Sequence, residues 1–355
     1  SCLYISKRQQ IPREKACGGA LIRYENSSFR FDLDLSDEII EKKVDGSLFH
    51  FPWGTKKVSS LCGVSFSRRV FDSYLAERAV MNGAAFISNT QAYDVTRSRE
   101  ELYVHLKNQR TREKQIAKTK LVAFCDGVST LARKIGFGFE RRPSNTAVSA
   151  LYEMEWKDNP IDCFEFYLDS KISPWGYGWI FPKKDAINVG VFCLMSHMQH
   201  NIKEYLDTLV RKHHEASKKL RGKRIVRFSS ALIPLAHAKS LHKQSALVIG
   251  DSAGMVDPIW GAGIKYAISG GKVAARVAVN CLQENDLSES RLAQYDKLWK
   301  RTEEYKALRR NYLFSKMAQT FWLPFDKNAF PKLISLIISA FDRNFRDSVA
   351  IFFYR

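Results

Sequence analysis

The stretch between positions 246 and 275 has the residue types of a ligand-binding loop. A short apolar run ends in Gly-Asp, small residues and a proline follow, and a Gly-x-Gly opens a helix. An aspartate at the carboxyl end of a strand lies at the rim where α/β folds bind ligands, and its carboxylate can accept hydrogen bonds from a polyol. The glycines let the backbone approach a planar ring, and the helix N-terminus offers N–H groups to an anion or a carbonyl oxygen. The residues concerned are Gly250, Asp251, Gly254, Pro258, Gly261, Ala262, Gly263 and Ile264.

Two charged residues beside other predicted elements are candidates for the same site. Arg68 opens a helix predicted over residues 68–83, and Asp126 follows the apolar run 121–124, which is typical of a strand buried on both faces. The arginine can pair with a pyrophosphate, and the aspartate can position a nucleotide. The alternatives are a surface arginine at a helix start, a plain Asp-Gly turn and, for residues 246–275, a strand-turn-helix with structural glycines.

A cysteine beside two glycines is a candidate for the reacting end of the site. Cys17 is followed directly by Gly18 and Gly19, which predict a sharp bend. A thiol at such a bend can supply a proton to a bound group or tune a neighbouring ring. The alternative is a small cysteine side chain that fills space in the core.

An aromatic strand is the second candidate for this end of the site. Alternate side chains of a strand project to one face, so Tyr177, Trp179 and Phe181, ahead of Pro182, predict a broad apolar wall with polar tips. Such a wall can line a tunnel for an apolar chain. The alternative is the ordinary core packing of a β-sheet.

Composition limits the classes of partner. Lys and Arg number 56 against 37 Asp and Glu, a net charge of +19 that attracts anions. No nucleic-acid-binding module is visible, so the basic runs are interpreted as solvated surface or as contacts with an anionic membrane. Residues 109–120 are expected to be a polar, basic connection, and residues 199–216 a single helix with His213 at its solvated end. The apolar clusters at 321–325 and 333–341 are predicted to rest on the membrane surface, with core packing as the alternative. The seven cysteines form no Cys-x-x-Cys and the eight histidines show no ligand spacing, which predicts no metal and a reducing cytoplasm.

Three motifs in order resemble the flavoproteins related to p-hydroxybenzoate hydroxylase. Residues 250–264 are similar to their second FAD motif. Asp126-Gly127-x-x-Thr130-x-x-Arg133 resembles their Asp-Gly motif, with Thr where Ser is usual, and Arg68 resembles the arginine that opens the helix before it. The resemblance implies FAD as the cofactor, bound by Arg68, Asp126 and the residues of the 250–264 segment.

Within this superfamily the chain most resembles the geranylgeranyl reductases, which saturate double bonds of isoprenoid chains. Lys15-x-Cys17-Gly18-Gly19 is similar to their Cys-Gly-Gly segment beside the flavin, and Tyr-x-Trp-x-Phe-Pro at 177–182 resembles the signature of archaeal members. Asn188-Val189-Gly190 also fits. The resemblance implies catalytic roles for Cys17, Gly18 and Gly19, and substrate contacts from Tyr177, Trp179, Phe181 and Pro182. Flavin-dependent halogenases carry a similar aromatic segment, so that segment alone does not decide the reaction.

We predict an α/β fold, in which a discontinuous Rossmann-like FAD-binding domain carries an inserted, mostly antiparallel β-sheet substrate domain and is followed by a helical C-terminal region. Four strands rich in aromatic and β-branched residues between 146 and 193 indicate the inserted sheet. The predicted bounds are 1–46, 67–142 and 229–285 for the FAD-binding domain, 47–66 and 143–228 for the substrate-binding domain, and 286–355 for the helical region.

The beginning of the chain departs from the family pattern. It starts in an apolar run at residues 2–6, with no Gly-x-Gly-x-x-Gly before it to hold a pyrophosphate. The acidic residue expected to end this strand is replaced by Ser6. We therefore expect a fragment that lacks about 30 upstream residues; the alternative is a natural protein that binds FAD weakly.

The resemblance implies an FAD-dependent reductase of carbon–carbon double bonds in geranylgeranyl chains, in membrane ether lipid biosynthesis. The expected partners are a prenylated lipid or prenyl diphosphate and an external electron donor, NAD(P)H or ferredoxin, with peripheral contact to an anionic membrane and no nucleic acid. One alternative is a flavin-dependent monooxygenase or halogenase of the same superfamily. The other is a non-catalytic remnant that binds a lipid or a partner.

Overall fold

The computed structural model describes residues 2–5, 15–24, 37–98, 101–322 and 326–341. It divides the chain into two compact units. The first unit comprises residues 1–14, 68–147 and 232–314, and the second comprises 15–67, 148–231 and 315–355. These bounds differ from the predicted domains, because residues 15–46 lie in the second unit and the C-terminal helices are divided between the two. The functions assigned to the predicted domains stay predictions. Ser6 lies outside the described residues.

The strands alternate between the two units along the chain. They are β1 (Cys2–Ile5), β2 (Ala20–Tyr24), β3 (Ile40–Val44), β4 (Ser47–Phe51), β5 (Gly54–Val58), β6 (Leu61–Phe66), β7 (Ala84–Ile87), β8 (Thr90–Ser98), β9 (Glu101–Asn108), β10 (Lys114–Thr119), β11 (Val122–Phe124), β12 (Thr146–Glu155), β13 (Phe164–Tyr167), β14 (Gly176–Pro182), β15 (Ala186–Leu194), β16 (Ile225–Pro234), β17 (His242–Lys243) and β18 (Ala246–Val248). The α-helices are α1 (Arg68–Met81), α2 (Ile202–Arg211), α3 (His214–Leu220), α4 (Ile264–Gln283), α5 (Glu289–Leu292), α6 (Gln294–Arg301), α7 (Glu303–Met317) and α8 (Ala329–Phe341).

The first unit contains two parallel strand pairs. β1 pairs with β7 and β11 pairs with β18, with Phe124 opposite Val248. Both residues are buried in a core that also contains Tyr266 of α4 and Trp299 of α6. The prediction that residues 121–124 are buried on both faces was wrong for Ala123, which is exposed because β11 lies at the edge of its sheet.

The same unit contains an antiparallel sheet of β8, β9 and β10, and β17 pairs with β18 in antiparallel orientation. The basic segment 109–120 was predicted to be a polar connection, but β10 lies within it and pairs with β9 over Lys114 to Thr119. Its exposed lysines are typical of an edge strand, where charge discourages pairing with a further chain.

A seven-stranded sheet dominates the second unit, in the order β16-β12-β15-β14-β13-β4-β5. The neighbours β13, β14 and β15 are antiparallel, as predicted, whereas β13 and β4 run parallel. β2, β6 and β3 form a separate antiparallel sheet. The residue patterns explain this architecture: β14 and β15 are rich in aromatic and β-branched residues and are buried nearly throughout.

The single helix predicted near residues 199–216 is two helices, α2 and α3. The break falls at His213, whose ring accepts a hydrogen bond from the backbone N–H of Ala216 and so caps α3. His213 had been interpreted as part of a solvated helix end, but it also packs edge-on against Tyr167. Burial lowers the pKa of this imidazole, which suits a neutral capping acceptor.

The apolar C-terminal helix α8 packs inward in the second unit. Leu333, Ile334 and Ile338 are buried, and Phe330 contacts the indole of Trp175. Part of the apolar cluster predicted to rest on a membrane, residues 323–325, lies outside the described residues. Among the helices of the described ranges, none combines the length and the apolar character that crossing a bilayer requires.

Candidate functional site

A buried carboxylate organises the loop that follows β18 in the first unit. Asp257 Oδ1 accepts hydrogen bonds from the backbone N–H groups of Ile259, at 2.9 Å, and Trp260, at 3.1 Å. Its Oδ2 accepts from the hydroxyl of Tyr266 at 3.2 Å and from the side-chain amide of Asn311 at 2.7 Å. Asp257 is 2% exposed, so these bonds replace the water that the carboxylate loses on burial.

The backbone of Asp257 closes the same loop. Its carbonyl accepts from Gly261 at 2.8 Å, and its N–H donates to the carbonyl of Ala262 at 2.9 Å. The loop therefore presents residues 261–263 on a fixed scaffold. Asp257 was not among the predicted site residues, although an acid before a proline in an apolar run was a signal for it.

The predicted Gly-x-Gly lies where the loop enters α4. Gly261 adopts φ +62°, a conformation that favours glycine, and Gly263 is the N-cap residue of α4. A Cβ at Gly263 would lie 3.0 Å from Val256 Cγ2 and 3.5 Å from Asp251 Oδ1, so the backbone is closely packed there. No side chain caps this helix, and Ala262 is exposed. The first N–H groups of α4 therefore fit a ring carbonyl or phosphate oxygen, as the flavin part of FAD would provide.

Ser252 joins two of the predicted motifs within the first unit. Its hydroxyl donates to Asp126 Oδ1 at 2.9 Å and accepts from the N–H of Gly127 at 2.9 Å. Asp126 Oδ2 accepts from the N–H of Leu131 at 2.6 Å. The structure thus brings Asp126 together with the turn that contains Asp251. In these contacts Asp126 stabilises both turns, and its predicted role toward a nucleotide stays a prediction.

The guanidinium of Arg68 is held in place by its own helix. It forms two parallel hydrogen bonds with the carboxylate of Asp72, one turn further along α1, at 2.8 and 3.0 Å. Both side chains are largely buried, which makes the pair rigid. An orientation fixed in this way suits the predicted contact with a pyrophosphate.

The predicted aromatic wall forms on β14 of the second unit. The rings of Tyr177 and Trp179 lie 6.1 Å apart and those of Trp179 and Phe181 lie 5.9 Å apart, so the three share one face. The indole N–H of Trp179 donates to Asn188 Oδ1 at 2.8 Å. A Cβ at Gly190 would lie 2.1 Å from Trp179 Cζ2, so only glycine lets the indole lie across β15. Asn188 and Gly190 therefore fix the orientation of the indole.

The Cys-Gly-Gly bend contacts this aromatic strand. A Cβ at Gly18 would lie 2.8 Å from two ring carbons of Phe181, and the side-chain amide of Asn188 donates to the carbonyl of Cys17 at 3.3 Å. The N–H of Gly19, whose φ is +62°, donates to the sulfur of Cys17 at 3.4 Å. The predicted catalytic and substrate-binding segments, which are about 160 residues apart in the chain, thus meet in one unit.

A buried lysine that the sequence analysis did not select holds this bend in place. The ammonium of Lys183 donates to the carbonyl of Gly19 at 2.8 Å and to that of Phe66 at 2.5 Å. Burial lowers its pKa to about 8, against the opposing effects of Glu41 and the Cys17 sulfur. No pattern in a chain with 56 basic residues distinguished this lysine, although it directly follows the Phe-Pro of the aromatic strand.

The described part of the chain contains no group of three or more His, Cys, Asp or Glu side chains placed to bind a metal ion. Each unit is described by its own set of candidate residues. The set in the first unit offers N–H groups, glycines and an oriented arginine. The set in the second unit offers a thiol, a buried cation and an aromatic face.

Known proteins resemble the chain in both sequence and fold. Residues 145–233 match the family model of the geranylgeranyl reductase catalytic domain. The digeranylgeranylglycerophospholipid reductase of Methanocaldococcus jannaschii is 30% identical over 326 residues, which are 89% of this chain and 80% of that protein. The enzyme of the same name from Methanococcus vannielii is 30% identical over 325 residues, with the same shares.

Solved structures share the fold. A geranylgeranyl bacteriochlorophyll reductase-like protein from Thermoplasma acidophilum matches with a TM-score of 0.81 at 24% identity, over 95% of this chain and 85% of that protein. A flavin-dependent brominase matches with a TM-score of 0.68 at 16% identity, over 92% and 86%. The predicted α/β flavoprotein fold is confirmed, and so is the predicted family. The chain belongs to the geranylgeranyl reductase family of oxidoreductases.

Proposed function

We propose that this protein is an FAD-dependent reductase that saturates carbon–carbon double bonds in the geranylgeranyl chains of a membrane ether lipid precursor. The observation that carries the proposal is the contact between the bend at Cys17 and the aromatic strand of Trp179 and Phe181. It places a proton-bearing thiol and an apolar wall in one unit. The two relatives described above are named for reduction of digeranylgeranylglycerophospholipid, the substrate class proposed for this chain.

In the first unit, the residues fit the parts of FAD. The N-terminus of α4 and Gly261 would hold the flavin ring through its carbonyl edge, and Asp251 would accept hydrogen bonds from the ribitol. Arg68 and Asp126 would hold the nucleotide part. Bound FAD, once reduced, supplies a hydride to one carbon of the double bond.

In the second unit, the residues would position the substrate and supply the proton. Tyr177, Trp179, Phe181 and Pro182 would contact the prenyl chain and exclude water from it, because the three rings lie side by side on one face of the strand and each is at most 8% exposed. The thiol of Cys17 would donate a proton to the second carbon of the double bond. Because Gly18 and Gly19 have no side chains, the backbone beside that thiol can lie against Phe181 and the carbonyl of Phe66.

The electron donor is external to the chain in this proposal. NAD(P)H and reduced ferredoxin are both anionic, and the net charge of +19 would favour the approach of either. Parallel assays with each donor, compared with chemical reduction by dithionite, would identify which one sustains turnover.

The direct test is anaerobic incubation of the FAD-loaded, dithionite-reduced protein with a digeranylgeranylglycerophospholipid. Mass spectrometry should show the gain of one hydrogen molecule for each reduced double bond. Replacement of the thiol in Cys17→Ser should slow the reaction by about a hundredfold or more, the usual size of a general acid contribution. Cys62→Ser, at a half-buried cysteine in the same unit, is the matched control and should retain the rate.

Three outcomes would contradict the proposal. An unreacted lipid combined with oxygen-dependent NAD(P)H consumption on an aromatic substrate would favour a monooxygenase or halogenase. A protein that stays colourless after incubation with FAD would favour a non-catalytic binding role. An equal loss of rate in Cys17→Ser and Cys62→Ser would remove the proposed proton donor.

We further propose a cytoplasmic protein that contacts an anionic membrane surface peripherally. The inward packing of α8 argues against that helix as the contact, whereas α7 exposes Leu313 and Phe314 in the first unit. Exposed apolar side chains on a basic protein suit an anionic lipid surface. Co-sedimentation with phosphatidylglycerol vesicles should exceed that with phosphatidylcholine, and Phe314→Ser should reduce it more than Met81→Ser on α1. Equal sedimentation with both lipids would contradict this proposal.

A further inference from the structure

Lys183 is a buried charged residue that contacts the bend at residues 17–19. Its side chain is 7% exposed, and its ammonium donates to two main-chain carbonyls, those of Gly19 and Phe66. The Phe66 N–H in turn donates to the Gly19 carbonyl at 2.8 Å. The carbonyl of Gly19 thus accepts from a strand and from a cation at the same time. A lysine placed in this way fixes the conformation of Gly19.

The same residue connects Lys183 to the thiol. The N–H of Gly19 donates to the sulfur of Cys17, and the carbonyl of Gly19 accepts from Lys183. The ammonium of Lys183 and a thiolate at Cys17 would attract each other, since the Cys17 sulfur is among the groups that favour the protonated lysine. We therefore expect the ionisation of the thiol to depend on both the position and the charge of the ammonium.

Among the described residues, two acids act on the charge of this lysine. Glu41 on β3 and Glu153 on β12 favour its ammonium form. Glu153 also forms an ion pair with Arg227 at 2.6 Å, and burial raises the pKa of Glu41, with a contribution from Asp185. The acids near the bend are thus partly neutralised by other effects, and the ammonium remains a source of positive charge beside the sulfur.

We propose that Lys183 is the positioning residue of the catalytic thiol, and that its charge makes Cys17 ionise more readily than an exposed cysteine does. A thiol that ionises more readily is a stronger proton donor, and a neighbouring cation stabilises the thiolate that remains after the proton has left. The use of this proton in alkene reduction rests on the proposed function. The ionisation of Cys17 is a property of the chain itself and can be measured without flavin or lipid.

The first experiment uses the unaltered protein. Iodoacetamide alkylation is followed at a series of pH values, and peptide mass spectrometry measures the rates at Cys17 and at Cys125, an exposed cysteine of the first unit. The thiolate is the reacting form, so each rate profile gives the midpoint of one thiol. We expect the midpoint of Cys17 to lie about one pH unit below that of Cys125. At a pH below both midpoints, the fraction of thiolate at Cys17 should then be about tenfold higher than at Cys125. A Cys17 midpoint equal to or above that of Cys125 overturns the proposal.

The second experiment separates charge from hydrogen bonding. Lys183→Met removes both, and Lys183→Gln keeps N–H donors for the two carbonyls but removes the charge. Both variants should raise the midpoint of Cys17 by about one pH unit and leave that of Cys125 unchanged. A midpoint in Lys183→Gln equal to that of the unaltered protein overturns the role of the charge. If neither variant folds, the comparison of the two cysteines in the unaltered protein decides.

The two proposals fail separately. A low Cys17 midpoint that depends on Lys183, in a protein that saturates no lipid, would support the role of Lys183 and contradict the function. Saturation of the lipid by a protein with an ordinary Cys17 midpoint would do the reverse.

Discussion

Replacement of Gly19 by alanine tests whether the bend beside the thiol is as tightly constrained as its contacts indicate. Gly19 has φ +62°, and a Cβ there would lie 2.2 Å from the carbonyl oxygen of Phe66 and 2.5 Å from the ammonium of Lys183. An alanine in this left-handed backbone conformation lowers the free energy of unfolding by about 1–2 kcal/mol even without a steric overlap. The overlap with a backbone oxygen cannot be relieved by a rotamer change, so the backbone must move.

The movement breaks two hydrogen bonds to the carbonyl of Gly19, from the Phe66 N–H and from Lys183. A neutral bond contributes about 1 kcal/mol and a bond to a charged donor about 1.5–3 kcal/mol. Together with the conformational cost, Gly19→Ala should lower the free energy of unfolding by about 3–6 kcal/mol.

Gly222→Ala is the matched control in the same unit. Gly222 also has a positive φ, +76°, but a Cβ there would have no neighbour within 4 Å. This substitution should cost only the conformational part, about 1–2 kcal/mol. Equilibrium urea unfolding of both variants, analysed with a common slope, measures the difference. A difference below about 1 kcal/mol would refute the view that the bend is held by these contacts.

Three further predictions concern groups elsewhere in the two units. Asp257→Asn replaces an acceptor of four hydrogen bonds by an amide that can accept only at its oxygen. It should lower the free energy of unfolding by about 2–4 kcal/mol and reduce the amount of FAD retained per protein. Unchanged FAD retention would contradict the role of the loop. Burial lowers the pKa of Lys183 to about 8, whereas its unfolded value is near 10.4, so the unfolded chain holds more protons than the folded protein between these pH values. In urea unfolding from pH 8 to 9.5, the free energy of unfolding of the unaltered protein should therefore rise relative to that of Lys183→Met by about 1.4 kcal/mol per pH unit. A difference that stays constant with pH would refute this prediction. Ser252→Ala removes the hydrogen bond to Asp126 and the one from Gly127, and should lower the free energy of unfolding, measured by heat or urea, by about 1–3 kcal/mol. The control Ser129→Ala, at an exposed serine, should lower it by less than about 0.5 kcal/mol.

Local patterns predicted much of the fold because their causes are local. The alternation of Tyr177, Trp179 and Phe181 indicated a strand with an aromatic face, and β14 has that face. The Gly-x-Gly at 261 and 263 indicated a helix start, and α4 begins directly after it. In both cases the residue types determine the conformation within a few positions.

Other features depend on partners that are distant in the sequence. Ser252 lies 126 residues from Asp126, so its hydrogen bond to that carboxylate follows only from the pairing of β11 with β18. Lys183 resembles any surface lysine in the sequence, and its two acceptors, the carbonyls of Gly19 and Phe66, are more than 100 residues away in the chain. The strand within residues 109–120 was missed because charged side chains on an edge strand give no apolar alternation.

The indole of Trp179 occupies the space that a side chain at Gly190 would need. Any larger residue at 190 therefore requires a smaller one at 179. Among diverging relatives, these two positions should change together and seldom singly. A reductase evolving toward a different isoprenoid would then have to replace Trp179 before it could replace Gly190, which fixes the order of the two changes.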